Sequence, residues 1–342
     1  MAKQKTQNQG YQTLRGEISA GDLRPLYLFW GEEDYLREAC LIQMRSLLLP
    51  EGLEEMNCFQ LDGKGMDVGD IAEAVEALPV FSSKKLVEVR DFDFYKAAAD
   101  RRDALDALLA DLPDYCCLVF VFTDPGFRPD GRVKIHKHFK GPGLSVEFSK
   151  QDQSDLVPWI RRRFAALKKE IERQEAEYLL FLCGPLMRGL TGEIEKIAAY
   201  AKGSRITRAD IDAVGTPVLD AVVWQLTDAL GKRDMGRAAE VMGELLFMRE
   251  SPIMLLAVTG KQFRQLLSAK LVSANGRDAA YLKTLWGIHS YPAQLLMEAA
   301  RRMELSWCRN AVLLAAQADL QMKSTGRDGE EVLKEFLVRL AV

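Results

Sequence analysis

Three histidines in 342 residues leave this chain few groups that titrate near neutral pH, and so few ready general acids or bases. Its six cysteines, Cys40, Cys58, Cys116, Cys117, Cys183 and Cys308, include no Cys-x-x-Cys pair. Cys116 and Cys117 are adjacent, which is poor geometry for an intrachain bridge, and the group as a whole lacks zinc-ligand spacing. Reduced thiols in a reducing compartment are expected. No apolar run approaches the roughly 18 residues that a membrane span needs. The stretch Met1–Gly10 is polar and basic with no apolar segment behind it, unlike a signal peptide. The expected location is the cytoplasm. A large excess of one charge is also missing, for the formal net charge is −3. The protein is therefore no polycation built to coat DNA, and any nucleic-acid contact must come from a local patch or a partner.

What is present is globular: 48% hydrophobic and 28% charged residues, long enough for two or three domains. From Leu26 to about Phe148, apolar runs (Leu26–Trp30, Met56–Leu61, Leu86–Arg90, Cys116–Phe122, Leu144–Phe148) alternate with helix patterns near Asp34–Leu49, Val68–Ala77, Ala97–Ala110 and Gly131–Phe139. Cys116–Phe122 is apolar on both faces, as a central strand covered by helices should be. This alternation predicts a mostly parallel sheet with helices on its faces. After Phe148 only helices are expected: a small helical domain over 150–214 and further helices over 215–342, divided at Gly215-Thr216-Pro217. Within them Thr207 reads as an N-cap, and Ser251-Pro252 as an N-cap followed by proline at the first helical position. Residues 1–20 are expected to be flexible, with the α/β domain over 21–149.

An α/β head of this kind invites a search for a nucleotide site. A P-loop needs Gly-x-x-x-x-Gly-Lys-Ser/Thr after the first strand, so that backbone N–H groups cradle phosphates. Here the first strand leads into Gly31-Glu32-Glu33-Asp34, one glycine and three carboxylates where a polyphosphate would sit. After the central strand, Thr123-Asp124-Pro125 replaces the expected pair of metal-binding acids, and Asp124 reads as a turn residue. Ser82-Ser83-Lys84-Lys85 contains Ser-x-x-Lys without the partner motifs of that chemistry. Gly63-Lys64-Gly65 reads as a turn, and His136 and His138 as exposed surface residues. No catalytic residue, cofactor or metal ligand emerges. An adaptor that grips other proteins is expected, rather than an ATPase.

Two surface features stand out. Ala77-Leu78-Pro79-Val80-Phe81-Ser82-Ser83 joins a helix to a strand, and Pro79 stiffens it by fixing its own φ and extending Leu78. Val80 and Phe81 either cap the helix–sheet core or protrude as an anchor for a partner. The second feature is the stretch Phe127–Lys140, where Arg128, Arg132, Lys134, Lys137 and Lys140 face only Asp130. It is a solvated face or a contact for DNA phosphate or an acidic partner. Arg161, Arg162 and Arg163 carry less weight, because Glu170, Glu172 and Glu175 lie near them in sequence.

Several pieces in order resemble the delta-subunit family of bacterial DNA polymerase III, a component of the sliding-clamp loader. They are Tyr27–Glu33, Leu78-Pro79-Val80-Phe81, Arg132-Val133-Lys134-Ile135, Leu190–Ile197, Gln262–Leu267 and Ala318–Gly326 with its Lys323-Ser324-Thr325-Gly326 ending. The resemblance runs from about Leu26 to Val342. It implies an AAA+-like α/β domain without a functional ATP site, then an all-α lid and an all-α collar that joins other loader subunits (tau/gamma and delta-prime). It also implies that the head binds the beta sliding clamp and opens it for loading onto primed DNA, with DNA met only within the complex. In that family the clamp-binding element is an apolar pair at Val80 and Phe81 with a further apolar residue at Leu78. This chain departs from the best-known relatives at Pro79 and at Val80, where they carry leucine before the phenylalanine. Membership would class the chain with a DNA-directed DNA polymerase holoenzyme without making it an enzyme itself. Other readings are a nucleotide-binding ATPase of related fold or another AAA+-like loader subunit.

Overall fold

The computed structural model describes residues 9–341. They fall into two compact units, 9–151 with 186–188, and 152–185 with 189–341. The first unit is α/β. In chain order it holds α1 (Gln9–Ala20), β1 (Leu26–Trp30), α2 (Asp34–Leu48), the single turn α3 (Glu54–Asn57), β2 (Cys58–Asp62), α4 (Val68–Glu76), β3 (Lys85–Arg90), α5 (Ala99–Ala110), β4 (Cys116–Val121), a 3₁₀ turn at Lys134–Phe139, and β5 (Leu144–Glu147).

All five strands run parallel in the order β2-β3-β4-β1-β5, an AAA+-like arrangement. β4 is central and its six residues are all buried, which accounts for its unbroken apolar run. Alternate side chains go to opposite faces of the sheet. Leu26, Leu28, Val87, Val89, Leu118 and Phe120 pack with the apolar residues of α4 and α5. Tyr27, Phe29, Leu86, Val119 and Val121 pack with Leu14 of α1 and with Leu41 and Met44 of α2. α4 starts at a capping box in which Asp67 and Asp70 each satisfy the other's backbone N–H.

The second unit is helical: α6 (Gln153–Ala166), α7 (Arg173–Cys183), α8 (Met187–Tyr200), α9 (Arg208–Val214), α10 (Leu219–Gly231), α11 (Met235–Phe247), α12 (Pro252–Ala274), α13 (Ala279–Trp286), α14 (Ser290–Arg302), α15 (Leu305–Ser324) and α16 (Gly329–Ala341). Thr207 caps α9 in a capping box with Asp210, and Ser251 caps α12 with Pro252 at its start. Phe263 of α12 is buried edge-on against Trp307 of α15 and Phe336 of α16. Among the described residues no helix is long and apolar enough to cross a membrane.

Several expectations need correction. Residues 9–20 are helical with Leu14 buried, not flexible, while 1–8 lie outside the described residues. Strands do not stop at Phe148: Glu170–Ile171 (β6) and Arg205–Ile206 (β7) form a small parallel ribbon. The expected helix at Gly131–Phe139 shrinks to the 3₁₀ turn. α13 is capped at its start by Asp278, and Gly287, at φ 62°, ends it in the left-handed conformation. The unit boundary falls at 151/152, and 186–188 group with the first unit while the rest of 152–341 forms the second.

Candidate functional site

α4 ends at Glu76 with Ala77 as its C-cap, and the following Leu78 and Pro79 cannot continue it. The chain then crosses to β3 through a tip on which Leu78 is 74%, Val80 40% and Phe81 89% exposed. Phe81 is the most exposed large apolar side chain among the described residues. Of the two arrangements the sequence allowed, the protruding one is present.

The tip is held from beneath. Asn57, fully buried at the end of α3, accepts a hydrogen bond from the Val80 N–H at 2.7 Å and donates to the Val80 carbonyl at 2.9 Å. The same Nδ2 donates to the Leu53 carbonyl at 3.0 Å. Lys85, the first residue of β3, is also fully buried. Its Nζ donates to the carbonyls of Ala74 (2.6 Å) and Ala77, and it lies 5.7 and 5.3 Å from the ring centres of Phe59 and Tyr115. The Tyr115 hydroxyl donates to the Glu76 carbonyl at 2.8 Å. These groups satisfy carbonyls that the end of α4 leaves unpaired, and the Lys85 cation sits at the negative end of the helix dipole. On the far side, Lys84 Nζ donates to the Asp114 carbonyl at 2.6 Å, and Ser82 Oγ to the Lys84 carbonyl at 2.8 Å. With both lysines so engaged, Ser82-Ser83-Lys84-Lys85 is structural. Phe81 itself adopts φ 50°, a conformation a bulky residue takes only when its surroundings impose it.

The place of a P-loop is filled by the protein's own groups. Gly31 has φ 121°, and a Cβ there would lie 2.5 Å from the Phe148 carbonyl oxygen, so this lone glycine serves strand packing. The Glu33 N–H donates to that same carbonyl at 2.8 Å. Glu33 and Arg37 are buried, and Arg37 Nη1 donates to the carbonyls of Gly31 (3.1 Å) and Phe122 (3.2 Å). Burial pushes the Glu33 carboxyl up to about 7 and holds the Arg37 guanidinium below its ordinary value. A phosphate here would have to displace that arrangement. At the end of β4, Thr123 binds Asp91 through its N–H (2.7 Å) and hydroxyl (2.6 Å), while Asp124 accepts from the Gly126 N–H as a turn residue does. Among the described residues no group of three or more His, Cys, Asp or Glu could hold a metal ion. The six cysteines are free.

Four cations of the basic stretch are paired with carboxylates. Arg128 lies 3.8 Å from Glu32, Arg132 forks onto Asp130 at 2.9 and 2.8 Å, and Lys134 and Lys137 share Asp106 at 3.0 and 3.4 Å. The hydrogen bonds from Lys134 and His138 hold the Asp106 carboxyl down at about 2. The two histidines are buried, not exposed: His136 Nδ1 meets the Tyr95 hydroxyl at 2.7 Å, and His138 Nε2 meets Asp106 at 2.8 Å. Two residues that matter to the tip, Asn57 and Lys85, escaped the sequence reading. A lysine opening an apolar strand was the available signal for the second, while nothing local marks Asn57.

The DNA polymerase III delta subunit family model matches residues 27–148, and the model of that subunit's C-terminal domain matches 220–340. The chain is 23% identical to DNA polymerase III subunit delta of Bacillus subtilis, over 94% of both chains. It is 20% identical to that of Escherichia coli, over 91% of this chain and 90% of the other. The solved Bacillus subtilis DNA clamp loader delta protein superposes with a TM-score of 0.51 at 20% identity, covering 96% of this chain and 98% of that one.

Proposed function

This chain belongs to the DNA polymerase III delta-subunit family, and on that premise we propose that it is the clamp-loader subunit that binds the beta sliding clamp and holds it open. The head supplies the grip, with Leu78, Val80 and Phe81 as the residues that enter the clamp. The observation that carries this reading is Phe81, almost wholly exposed on a tip whose backbone is pinned by buried Asn57. Burying such a side chain yields about 1.5–3 kcal/mol, and a tip ordered beforehand loses little of it to conformational entropy. Binding opens the ring only if the tip holds the open clamp better than the closed one, since equal affinity for both states would shift nothing.

The chain is not itself a polymerase. Nucleotide hydrolysis is assigned to neighbouring subunits, because three carboxylates and a buried Glu33–Arg37 arrangement stand where phosphate would bind. The reading places the protein in the cytoplasm, within a loader that contains tau/gamma and delta-prime subunits. There α6–α9 act as the lid and α10–α16 as the collar. Arg128, Arg132, Lys134 and Lys137 would have to exchange carboxylates for phosphates to touch DNA. The decisive measurement is titration of the full chain with the same organism's sliding clamp. Wild type binds, and a chain with both Val80 and Phe81 changed to alanine does not. Equal affinity of the two would refute the assignment.

A further inference from the structure

We propose that the groove between α6 and the β6–β7 ribbon is a second contact surface, made for the phosphate backbone of duplex DNA, with Arg161 and Arg162 as its principal cations. The groove has a volume of about 690 Å³, and its lining carries Arg161, Arg162, Lys169 and Arg205 against Glu170 and Glu172.

In sequence these arginines look balanced by nearby glutamates, but the fold commits one of those carboxylates, Glu172, to another cation. Glu172 is the ion-pair partner of Arg205. Arg163 turns away to lie over the Trp159 ring at 5.6 Å. Arg161 and Arg162 are exposed and have no carboxylate partner among the described residues. Lys169 Nζ donates to the carbonyls of Ala201 and Gly203, both at 2.7 Å, so its charge is fixed in place but not cancelled. Those bonds also draw together the segments bearing the exposed Lys168 and Lys202. Glu170 is the one acid of the lining left opposing them. The contrast with the stretch around Arg132 is direct, since four of its five named cations, Arg128, Arg132, Lys134 and Lys137, already have a carboxylate.

The lining also indicates what would fit. Guanidinium forks match phosphate oxygens, and two neighbouring arginines on one helix point apart, toward separate phosphates. No aromatic ring lines the groove, so unstacked bases of a single strand have nothing to stack upon. No large exposed apolar residue lines it either, which removes the usual anchor of a protein partner. A regular backbone of negative charge remains.

The inference rests on the clamp-loader reading only for choosing DNA as the polyanion, and its test is independent of the clamp. Fluorescence anisotropy of a labelled duplex of arbitrary sequence would be followed with the full chain over a series of salt concentrations. Wild type should bind with a linear log–log salt dependence. Changing both Arg161 and Arg162 to alanine should weaken binding about tenfold or more and reduce the slope by about 1.8, at ~0.9 per phosphate contact. Changing both to lysine should keep most of the slope. Changing Arg132 and Lys134 to alanine should alter neither quantity, and the affinity of the Arg161/Arg162 variants for the sliding clamp should stay at the wild-type value. The proposal is overturned if wild type shows no salt-dependent binding, if the double alanine variant keeps the full slope, or if polyglutamate or single-stranded DNA binds as tightly as duplex. Loss of clamp binding by Phe81→Ala is a separate result that leaves the salt slope unchanged, so the two readings fail separately.

Discussion

Asn57 holds both halves of the Val80 main chain, accepting from its N–H at 2.7 Å and donating to its carbonyl at 2.9 Å across 23 residues of sequence. A side-chain amide thus does for the tip what a neighbouring strand would do, pairing a loop backbone that has no other ladder. Asn57→Ala strands these groups and the Leu53 carbonyl, and should cost about 1–3 kcal/mol of folding stability. It should also lower clamp affinity several-fold although Val80 and Phe81 are untouched, because binding must then order the tip. Denaturant midpoints and clamp titrations on one preparation check both. Unchanged clamp affinity would mean that the tip is not ordered by Asn57.

Phe81 separates stability from binding. Its positive φ is strained for phenylalanine and free for glycine, and its ring touches little of its own chain. Phe81→Gly should therefore leave folding stability within about 1 kcal/mol of wild type, while clamp binding weakens by about 2–4 kcal/mol. A large drop in Tm would show instead that the ring belongs to the core.

Glu33 makes stability depend on pH. Its folded value near 7 lies above the ordinary 4.5, chiefly because burial disfavours the ionised carboxylate. Between those values the native chain keeps a proton that the unfolded chain releases. The contribution of Glu33 to stability is thus present below about 4.5, declines as pH rises, and becomes a full penalty above about 7. Glu33→Gln removes this ionisation. It should raise Tm near pH 8, by the equivalent of at most about 3 kcal/mol, with the advantage fading toward pH 4–5. A gain that does not vary with pH would contradict the burial argument.

Gly31→Ala places a methyl group 2.5 Å from the Phe148 carbonyl oxygen, in a backbone conformation unfavourable to alanine. A loss of more than about 2 kcal/mol is expected by chemical denaturation, because backbone on both sides must shift. A neutral result would mean that β1 and the segment after β5 can part there at little cost.

Much of the fold was legible because local patterns carried it. The doubly apolar run of β4 announced a covered central strand, and Ser251-Pro252 and Thr207 marked real helix starts. Boundaries slipped where a short element interrupted the pattern. β2 begins at Cys58 rather than Met56 because Glu54–Asn57 close a helical turn first. α13 carries little sequence signal, since eight residues with one buried side chain give a weak apolar pattern. The apolar character of Leu78, Val80 and Phe81 was visible, but whether they faced inward was not, since a connector has no periodicity to assign its faces. Likewise Glu172 could be counted beside the arginines, but its commitment to Arg205 depends on how β6 pairs with β7.

Apolar periodicity, turn residues and the missing Gly-Lys-Ser/Thr were enough to specify a parallel α/β head, a helical remainder and a strand end hostile to phosphate. Those properties follow from the order of residue types along the chain, which is what a sequence records. Only the tertiary structure decided that Phe81 stands outside, that Asn57 and Lys85 hold the tip beneath it, and that Arg161 and Arg162 are left without carboxylate partners among the described residues while Arg132 and Lys134 are not. Each of these depends on which of several chemically eligible partners comes within about 3 Å, and hydrogen bonds and ion pairs at that range are settled by three-dimensional packing rather than by separation in sequence.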